Sequence, residues 1–324
     1  MEIVRVTNLK KTYGGFTAVN GIDFTIQPGE IFGFLGPNGA GKTTTINMMI
    51  GLSRPTEGSI TIDGIDARRH PKKAQAIMGI VADESNLYDE MDGFGNLCFC
   101  ASLYGIRKEE RESRARRLLE QFDLAKAGKR PFKAYSKGMR RKLTIAAGII
   151  HSPRILFLDE PTTGIDIESA RQIRDLIVAL KQQGTTVFIT THYIEDAERI
   201  CDRIAFIVDG KIVATGTVPE LMQSVSQGHM IQLAMEENAD ENLAADLQAH
   251  FEGCAVSINR DHSLVIASEE RIPLLPVMRY FDEKGIAVYE AKELRPTLED
   301  VFVKVTGIES AHLEKEKEKG GAGK

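Results

Sequence analysis

Cysteine is scarce in this chain, which has 4 cysteines among 324 residues. No two of them have the spacing of a CxxC redox motif or of a zinc site. The pattern therefore speaks against a disulfide framework and predicts reduced thiols in a cytoplasmic protein. We interpret Cys98 and Cys100 as small apolar side chains that are buried by neighbouring elements.

Long apolar runs are also missing, and the charge is nearly balanced. No run approaches the roughly 20 residues that a helix needs to span a bilayer, and residues 1–6 lack the apolar core of a signal peptide. The formal net charge of −5 provides no general attraction to nucleic acid or anionic lipid. Hydrophobic residues make up 42% of the chain, enough for one large domain or two unequal ones.

The strongest pattern is a glycine-rich turn that matches G-x-x-x-x-G-K-[ST], a phosphate-binding loop. Glycines let backbone N–H groups approach a phosphate chain, Lys42 would place a charge between the β- and γ-phosphates, and the Thr43 hydroxyl would bind Mg²⁺. An apolar run at 31–35 is typical of a buried parallel strand, and 44–49 would form a helix whose positive end faces the phosphates. The predicted nucleotide-binding residues here are Gly36, Pro37, Asn38, Gly39, Ala40, Gly41, Lys42, Thr43 and Thr44.

Acidic side chains follow a second apolar run, residues 155–158, which leads from Arg154 to Asp159 and Glu160. Buried carboxylates are costly unless a metal or a cation compensates them, and at the carboxyl end of a parallel strand they would lie in the ligand crevice. We expect Asp159 to hold Mg²⁺ and Glu160 to polarise a water molecule against the γ-phosphate. A third run at 186–191 ends at His192, which would contact the γ-phosphate in the same crevice.

Two weaker patterns leave alternatives open. Tyr13 precedes a flexible glycine turn, where its ring could stack on an adenine or simply pack against the fold. Ser136 and Gly138 begin a predicted helix that runs to residue 150, and they form either a helix cap or a second anion site. The arginines of a predicted helix at 109–122 alternate with glutamates, which favours a solvated face over a nucleic-acid site.

Together these motifs resemble the nucleotide-binding subunit of an ABC transporter over residues 1–220. The resemblance implies an α/β P-loop NTPase fold with a RecA-like parallel-sheet core, an antiparallel β subdomain and a helical subdomain at about 86–150. The family motifs and their positions are the A-loop Tyr13, Walker A at 36–43, the signature at 135–139, Walker B at 155–160, the D-loop ending at Asp166, and the switch His192.

The chain departs from the family pattern at two motifs. Asp83 stands where the Q-loop has glutamine, so it can still bind Mg²⁺ through oxygen but adds negative charge near the γ-phosphate. We expect coupling to nucleotide to be retained but altered. In the signature, Lys137 and Met139 replace glycine and glutamine, while Ser136 and Gly138, the groups that can reach a phosphate, remain.

The resemblance also implies a mechanism. Two ATPase domains, as a homodimer or heterodimer, would pack head to tail, and Ser136 and Gly138 of one domain would close on the ATP held by the other. Asp166 of the D-loop is also implied to bind the nucleotide. Glu160 would act as the base, while Lys42 and His192 would steady the phosphates. The implied Mg²⁺ ligands are Thr43, Asp83 and Asp159.

Residues 221–307 have a different character. Their pattern predicts strand, helix, two strands, helix and strand, a small α+β ferredoxin-like module with a role in interaction, dimerisation or regulation. Residues 297–300 form a capping-box pattern for a last helix, and 295–302 resemble the ending of the ABC-2 exporter subgroup, which includes antibiotic-resistance exporters. We predict that the tail at 308–324 is disordered.

We therefore expect an ATP-hydrolysing subunit at the inner face of the cell membrane that drives export through a separate integral membrane permease. The region around residues 86–104 would contact that permease, and no nucleic acid is expected. An alternative is an ABC-type ATPase that acts on ribosomes or nucleic acid. A metabolic P-loop kinase would leave the signature, the D-loop and His192 unexplained.

Overall fold

The computed structural model describes residues 2–225, 228–236, 239–259, 261–294 and 296–307. These residues divide into a first unit, 2–218 together with 302–307, and a second unit, 219–301. The sequence predicts a single boundary near residue 220. The structure differs in one respect, because the end of the last helix belongs to the first unit. The predicted tail at 308–324 and Arg295 lie outside the described residues.

The first unit contains ten strands and seven α-helices among its described residues before residue 218. In chain order they are β1 (Val4–Tyr13), β2 (Phe16–Ile26), β3 (Ile31–Leu35), α1 (Lys42–Met49), β4 (Glu57–Ile62), β5 (Ile65–Asp66), α2 (Pro71–Gln75), β6 (Met78–Val81), α3 (Gly93–Leu103), α4 (Lys108–Gln121), α5 (Lys137–Ile149), β7 (Ile155–Asp159), α6 (Ile167–Gln182), β8 (Thr186–Thr191), α7 (Ile194–Ile200), β9 (Arg203–Val208) and β10 (Lys211–Thr217).

A six-stranded sheet in the order β10-β9-β3-β8-β7-β6 forms the centre of the first unit. All neighbours are parallel except β10, which runs antiparallel to β9. Every residue of β3, β7 and β8 is buried, as expected for strands covered on both faces. The rings of Phe24 and Phe32 stack at 5.5 Å in this core. The carboxyl ends of β3, β8, β7 and β6 therefore meet at one edge.

A second sheet in the order β2-β1-β4-β5 is antiparallel. The antiparallel beginning of the chain was predicted, but β1 continues well beyond the predicted residues 3–6. Its register shifts between Val6 and Leu9, where Asn8 has a φ of 45°. This bulge interrupts the alternation of apolar and polar residues, which is why the sequence pattern ended the strand too early.

Three helices, α3, α4 and α5, occupy most of residues 93–149. The arginines of α4 form ion pairs one turn apart, Arg114 with Glu110 at 2.7 Å and Arg116 with Glu112 at 3.3 Å. The predicted solvated face with paired charges is therefore confirmed. Within the described part of the chain, no helix has the length and apolarity needed to cross a bilayer.

The second unit begins in α8 (Val218–Val225) and ends in α11 (Leu298–Thr306), both of which cross its boundaries. Between them lie β11 (His229–Met235), α9 (Glu241–His250), β12 (Cys254–Ile258), β13 (Leu264–Ser268), α10 (Leu274–Glu283) and β14 (Val288–Leu294). The strands form an antiparallel sheet in the order β12-β13-β11-β14. Its core joins sheet residues such as Leu233 and Ile266 to Leu247 of α9 and Phe281 of α10.

Two details of the second unit bear on the sequence patterns. The last strand was predicted at 286–289 but begins at Val288, because Ile286 N–H donates to the Phe281 carbonyl and Gly285 has a φ of 69°. Both features close α10. The capping box is confirmed, since Asp300 N–H donates to Thr297 Oγ1 at 3.2 Å and Thr297 N–H donates to Asp300 Oδ2 at 2.8 Å.

Candidate functional site

The glycine-rich loop after β3 is shaped by two close approaches. A Cβ on Gly36 would lie 2.1 Å from the Ile207 carbonyl oxygen, and one on Gly41 would lie 2.5 Å from the Ala18 carbonyl oxygen. Gly39 has open space around it, but its φ of 82° favours glycine. The glycines therefore hold the loop against β2 and β9, and the loop leads directly into the N-terminus of α1.

Lys42 is 6% exposed, and its side chain folds back into this loop. Its Nζ donates to the carbonyl oxygens of Gly36 at 2.7 Å and Pro37 at 3.2 Å, and lies 3.3 Å from Glu160 Oε1. Thr43, next in α1, is exposed, and Thr44 is half-buried. The first turn of α1 thus combines a buried cation with an accessible hydroxyl, which suits a phosphate group and a hard metal ion.

Glu160 follows β7 in the left-handed region, with a φ of 47°. This conformation costs a non-glycine residue about 1–3 kcal/mol, so neighbouring contacts must hold it. Glu160 N–H donates to the Thr190 carbonyl at 3.1 Å, and Oε2 accepts from Thr163 Oγ1 at 3.1 Å and lies 2.8 Å from His192 Nδ1. The backbone and the carboxylate of Glu160 are both fixed.

The charge state of Glu160 follows from these contacts. Burial alone would raise the pKa of its carboxyl, but the hydrogen bond to His192 and the positive charge of Lys42 hold the pKa below its usual value. An ionised carboxylate only accepts, so His192 Nδ1 carries the proton in their contact. The arrangement provides a buried, ionised base between a cation and an imidazole.

Asp159 lies at the end of β7 and is 6% exposed. Its Oδ1 accepts a hydrogen bond from Thr190 Oγ1. Asp83, after β6, is 56% exposed and lies 3.2 Å from Arg141 Nη2. Partial desolvation of the carboxyl raises the pKa of Asp83 although more than half of the side chain is exposed, Arg141 opposes this shift, and the charges of Asp159 and Glu160 add to it. The charges of Asp83, Asp159 and Glu160 therefore influence one another at this edge of the sheet.

The side-chain oxygen atoms near the phosphate-binding loop are of the kind that binds Mg²⁺. No group of three or more His, Cys, Asp or Glu side chains that could hold a metal ion occurs among the described residues. A magnesium ion that is shared with phosphates needs only one or two carboxylates from the protein. The Asp159 carboxylate and the exposed Thr43 hydroxyl are oxygen donors of this kind, and Asp83 is a third candidate.

The signature residues lie against the D-loop of the same chain. Ser136 caps α5 and accepts from Met139 N–H at 3.2 Å. Asp166 caps α6 and accepts from Ser169 N–H at 2.8 Å and from Ser169 Oγ at 2.7 Å. A Cβ on Gly138 would lie 2.3 Å from Ser169 Oγ, so only glycine fits between the two helix starts.

Comparisons with known proteins identify this arrangement. The family model described as ABC transporter matches residues 19–163. The chain is 35% identical to the daunorubicin resistance ATP-binding protein DrrA3 of Streptomyces coeruleorubidus, over 94% of this chain and 96% of that protein. It is 34% identical to the linearmycin resistance ATP-binding protein LnrL of Bacillus subtilis, over 94% of this chain and 98% of that protein. The chain belongs to the ABC transporter ATP-binding proteins.

Solved structures agree with this assignment. The ATP-binding subunit of an ABC transporter is 28% identical, with a TM-score of 0.63 over 68% of this chain and 92% of that chain. A dimeric ATP-binding cassette bound to ADP and phosphate is 27% identical, with a TM-score of 0.61 over 66% of this chain and 98% of that chain. The predicted family, P-loop NTPase fold, ATP binding and ATP hydrolase activity are confirmed. The ferredoxin-like interpretation of the second unit stays a prediction.

The A-loop Tyr13 of this ABC ATPase ends β1 and is 50% exposed. Its hydroxyl lies 3.4 Å from Ser53 Oγ, and Lys11 Nζ lies 4.7 Å from the centre of its ring. Much of the ring surface is therefore free for stacking on a base. The structure joins Lys42, Glu160 and His192 in one set of contacts, and Asp83 reaches Glu160 through Arg141.

Sequence reasoning missed several residues that shape this ATPase site. Thr190 binds Asp159 and the backbone of Glu160, and Asp196 accepts from Thr162 and Arg174, each at 2.6 Å. The signal for Thr190 was a hydroxyl in the buried strand β8, which contains three threonines, because a buried hydroxyl must find a partner. Arg141 gave no local signal, because its partners follow other strands.

Proposed function

We propose that this ABC ATPase powers the export of a substrate through a separate membrane permease. The main support is the match, over nearly its whole length, to proteins whose names state resistance or export. Besides the resistance proteins above, a Nod factor export ATP-binding protein of Ralstonia nicotianae is 33% identical over 95% of this chain and 94% of that protein. A ribosomal or nucleic-acid role has no comparable support among these relatives.

Hydrolysis in this proposal depends on the Lys42–Glu160–His192 contacts. Glu160 takes the proton of the attacking water, because its carboxylate is ionised and held in one orientation. Lys42 exchanges its contacts with Gly36 and Pro37 for the β- and γ-phosphates. His192 then orients both Glu160 and the terminal phosphate. Bound Mg²⁺ would be held by Thr43, Asp159 and Asp83, and it neutralises charge on the phosphates.

We further propose that two copies, or this chain and a related one, sandwich ATP. Residues 36–44 and Tyr13 of one domain hold the nucleotide, and Ser136, Gly138 and Asp166 of the other complete the site. The exposure of Ser136 at the start of α5 supports this role, as does the dimeric state of one similar cassette. ATP binding would favour the closed pair, and hydrolysis would release it.

The permease contact is proposed for a groove of about 330 Å³ beside α3. Its apolar lining includes Tyr88, Phe99, Leu103 and Tyr104, and Leu103 is 69% exposed. This exposed apolar groove adjoins residues 82–88, which we call the Asp83 loop, and it suits a helix from a membrane partner. The partner would keep the ATPase at the inner face of the cell membrane.

To test this proposal, the ATPase is captured from gently solubilised native membranes, and two substitutions that each introduce a negative charge are compared. With Leu103→Glu, a polytopic membrane protein should no longer be recovered in stoichiometric amount. That membrane protein should also no longer stimulate the Mg²⁺-dependent phosphate release of the ATPase. Leu275→Glu, at a 62% exposed position in the second unit, is the matched control and should retain both. Recovery of ribosomal proteins with no membrane protein would overturn the export proposal.

A further inference from the structure

Arg141 is a buried cation that the ATPase mechanism above does not use. It lies in the second turn of α5 and is 8% exposed. A guanidinium stays ionised in proteins, so its N–H groups need acceptors when it is buried. Asp83 supplies one charged acceptor, but the other three acceptors are main-chain carbonyl oxygens.

Those carbonyls belong to two different loops of the site. Arg141 Nη1 donates to the Ala82 carbonyl at 2.7 Å, and Nη2 donates to the Asp83 carbonyl at 2.8 Å. Nη2 also donates to the Glu160 carbonyl at 3.1 Å. One side chain thus joins the main chain after β6 to the main chain after β7, where the proposed base is located.

At Glu160 this bond completes a clamp on an unfavourable backbone conformation. Thr190 holds the N–H side of the residue, and Arg141 holds its carbonyl side. With a φ of 47°, the residue would relax toward a commoner conformation if one side were released. Such a change would turn the carboxylate away from Lys42 and His192.

The loop after β6, which Arg141 also holds, lies beside the proposed permease groove. Ala82 lines that groove together with Glu84, Asn86, Leu87 and Tyr88. A displacement of this segment would therefore pull on the guanidinium directly. Because the same guanidinium holds Glu160, the displacement would reach the base through a single rigid group.

We propose that Arg141 is a positioning residue that couples the conformation of the Asp83 loop to the orientation of Glu160. The inference rests on the proposed function, because it assigns Glu160 the role of the base. A lysine cannot replace this arginine, since one ammonium cannot span the two loops as the planar fork does. The Asp83 carboxylate balances the buried charge, and the carbonyl bonds carry the coupling.

The first test measures hydrogen exchange of the full-length, nucleotide-free protein. Arg141→Lys should speed amide exchange by about tenfold or more both at 82–88 and at 159–166, because each loop loses a tie. Arg140→Lys is the matched control, since Arg140 is the adjacent residue and contacts Lys133, Phe132 and Asp89 instead, and a lysine keeps the charge that faces Asp89. It should leave both segments unchanged. If Arg141→Lys fails to fold, Arg141→Gln should give the same two-segment pattern.

The second test separates turnover from binding. Arg141→Lys should lower kcat for ATP about tenfold or more, while the affinity for a fluorescent ATP analogue measured in EDTA changes less than about twofold. Asp83→Asn keeps the carbonyl bonds and should lower kcat less than Arg141→Lys does.

Faster exchange in only one of the two segments, or an unchanged kcat, would overturn the coupling role. Absence of ATP hydrolysis by the unaltered protein would instead contradict the proposed function, and the exchange result would remain informative about the tie itself.

Discussion

The two units of this ABC ATPase differ in what they bury. The first unit encloses ionisable side chains, among them Lys42, Arg141, Asp159 and Asp196, each less than 10% exposed. In the described part of the second unit, Ser263 is the sole buried polar residue. Both units have an apolar core, so the difference concerns charge rather than hydrophobic burial.

This contrast has a physical meaning. Burying an ionised group costs desolvation free energy unless partners compensate its charge. Apolar residues of the same volume would often stabilise the fold as well or better. The first unit maintains its buried charges through networks such as Lys42–Glu160–His192. The second unit keeps its ion pairs, such as Lys284 with Asp246, near the surface. Buried charge therefore marks the unit that contains the candidate ATPase site.

The comparison predicts its largest effect on activity at Glu160. Glu160→Gln removes the proposed base but keeps its volume, so phosphate release should fall by about 10²–10⁴-fold while ATP still binds. Analytical sedimentation with ATP should show the closed dimer accumulating. Glu109→Gln, on the exposed side of α4, is the control and should behave like the unaltered protein. Undiminished phosphate release by Glu160→Gln would remove this residue from the base role.

In the second unit the largest expected effect is on stability. Phe281 is 1% exposed in the apolar core, and Phe281→Ala should cost the unit about 3–5 kcal/mol. Hydrogen exchange of the β11 amides reports this loss directly. Phosphate release per folded molecule should change little without the membrane partner. A strong loss of ATP turnover while the β11 amides stay protected from hydrogen exchange would contradict the contrast drawn between the two units.

The contact between the signature and the D-loop predicts a smaller effect and a rescue. Gly138→Ala places a methyl group 2.3 Å from Ser169 Oγ, which should move the start of α5 and lower ATP turnover about tenfold. Adding Ser169→Gly removes the obstructing atoms and should restore most of the activity. If the double variant is as slow as Gly138→Ala alone, the collision is not the cause.

The smallest effect is expected for the surface pair of the second unit. The hydrogen bond from Lys284, followed by that from Tyr280, lowers the pKa of Asp246, and Asp246 in turn raises the pKa of Lys284. The stabilisation from Asp246 is complete above its usual value of 3.8 and is lost as the pH falls through its lowered folded pKa. The stabilisation from Lys284 is complete below 10.5 and is lost as the pH rises through its raised pKa.

Asp246→Asn should therefore lower the thermal stability slightly between these limits at low salt, and about 1 M salt should remove the difference. Asp282→Asn, at an exposed position on α10, is the matched control. If the loss of thermal stability persists in high salt, the pair stabilises the unit through side-chain packing rather than through charge attraction.

Much of the candidate site could be predicted because each of its motifs is a short continuous stretch at the end of a strand. The loop at 36–43, the pair Asp159 and Glu160, and His192 each follow an apolar run that predicts a buried strand. The carboxyl ends of parallel strands meet at one edge, so such residues must lie near each other. The order of motifs therefore sufficed to predict the family, the fold and the activity.

Each of the remaining contacts involves a residue that belongs to none of these motifs and whose partner is distant in the sequence. Arg141 is 59 residues from Ala82, and Thr190 is 31 residues from Asp159. No local periodicity reports such pairs, because they depend on how α5 and β8 are placed in the finished fold. Boundaries were missed for a local reason, as the bulge in β1 and the closure of α10 show.

The return of the chain to the first unit has a consequence for biosynthesis. Phe302 belongs to that unit, and its ring lies edge-on to Phe206 at 5.5 Å, with both rings buried. During translation, all of residues 219–301 must emerge before Phe302 does. At about 5–20 residues per second, this delay is on the order of ten seconds. Over that interval the Phe206 ring of β9 lacks the Phe302 ring that packs against it in the folded chain, so this part of the core is completed last.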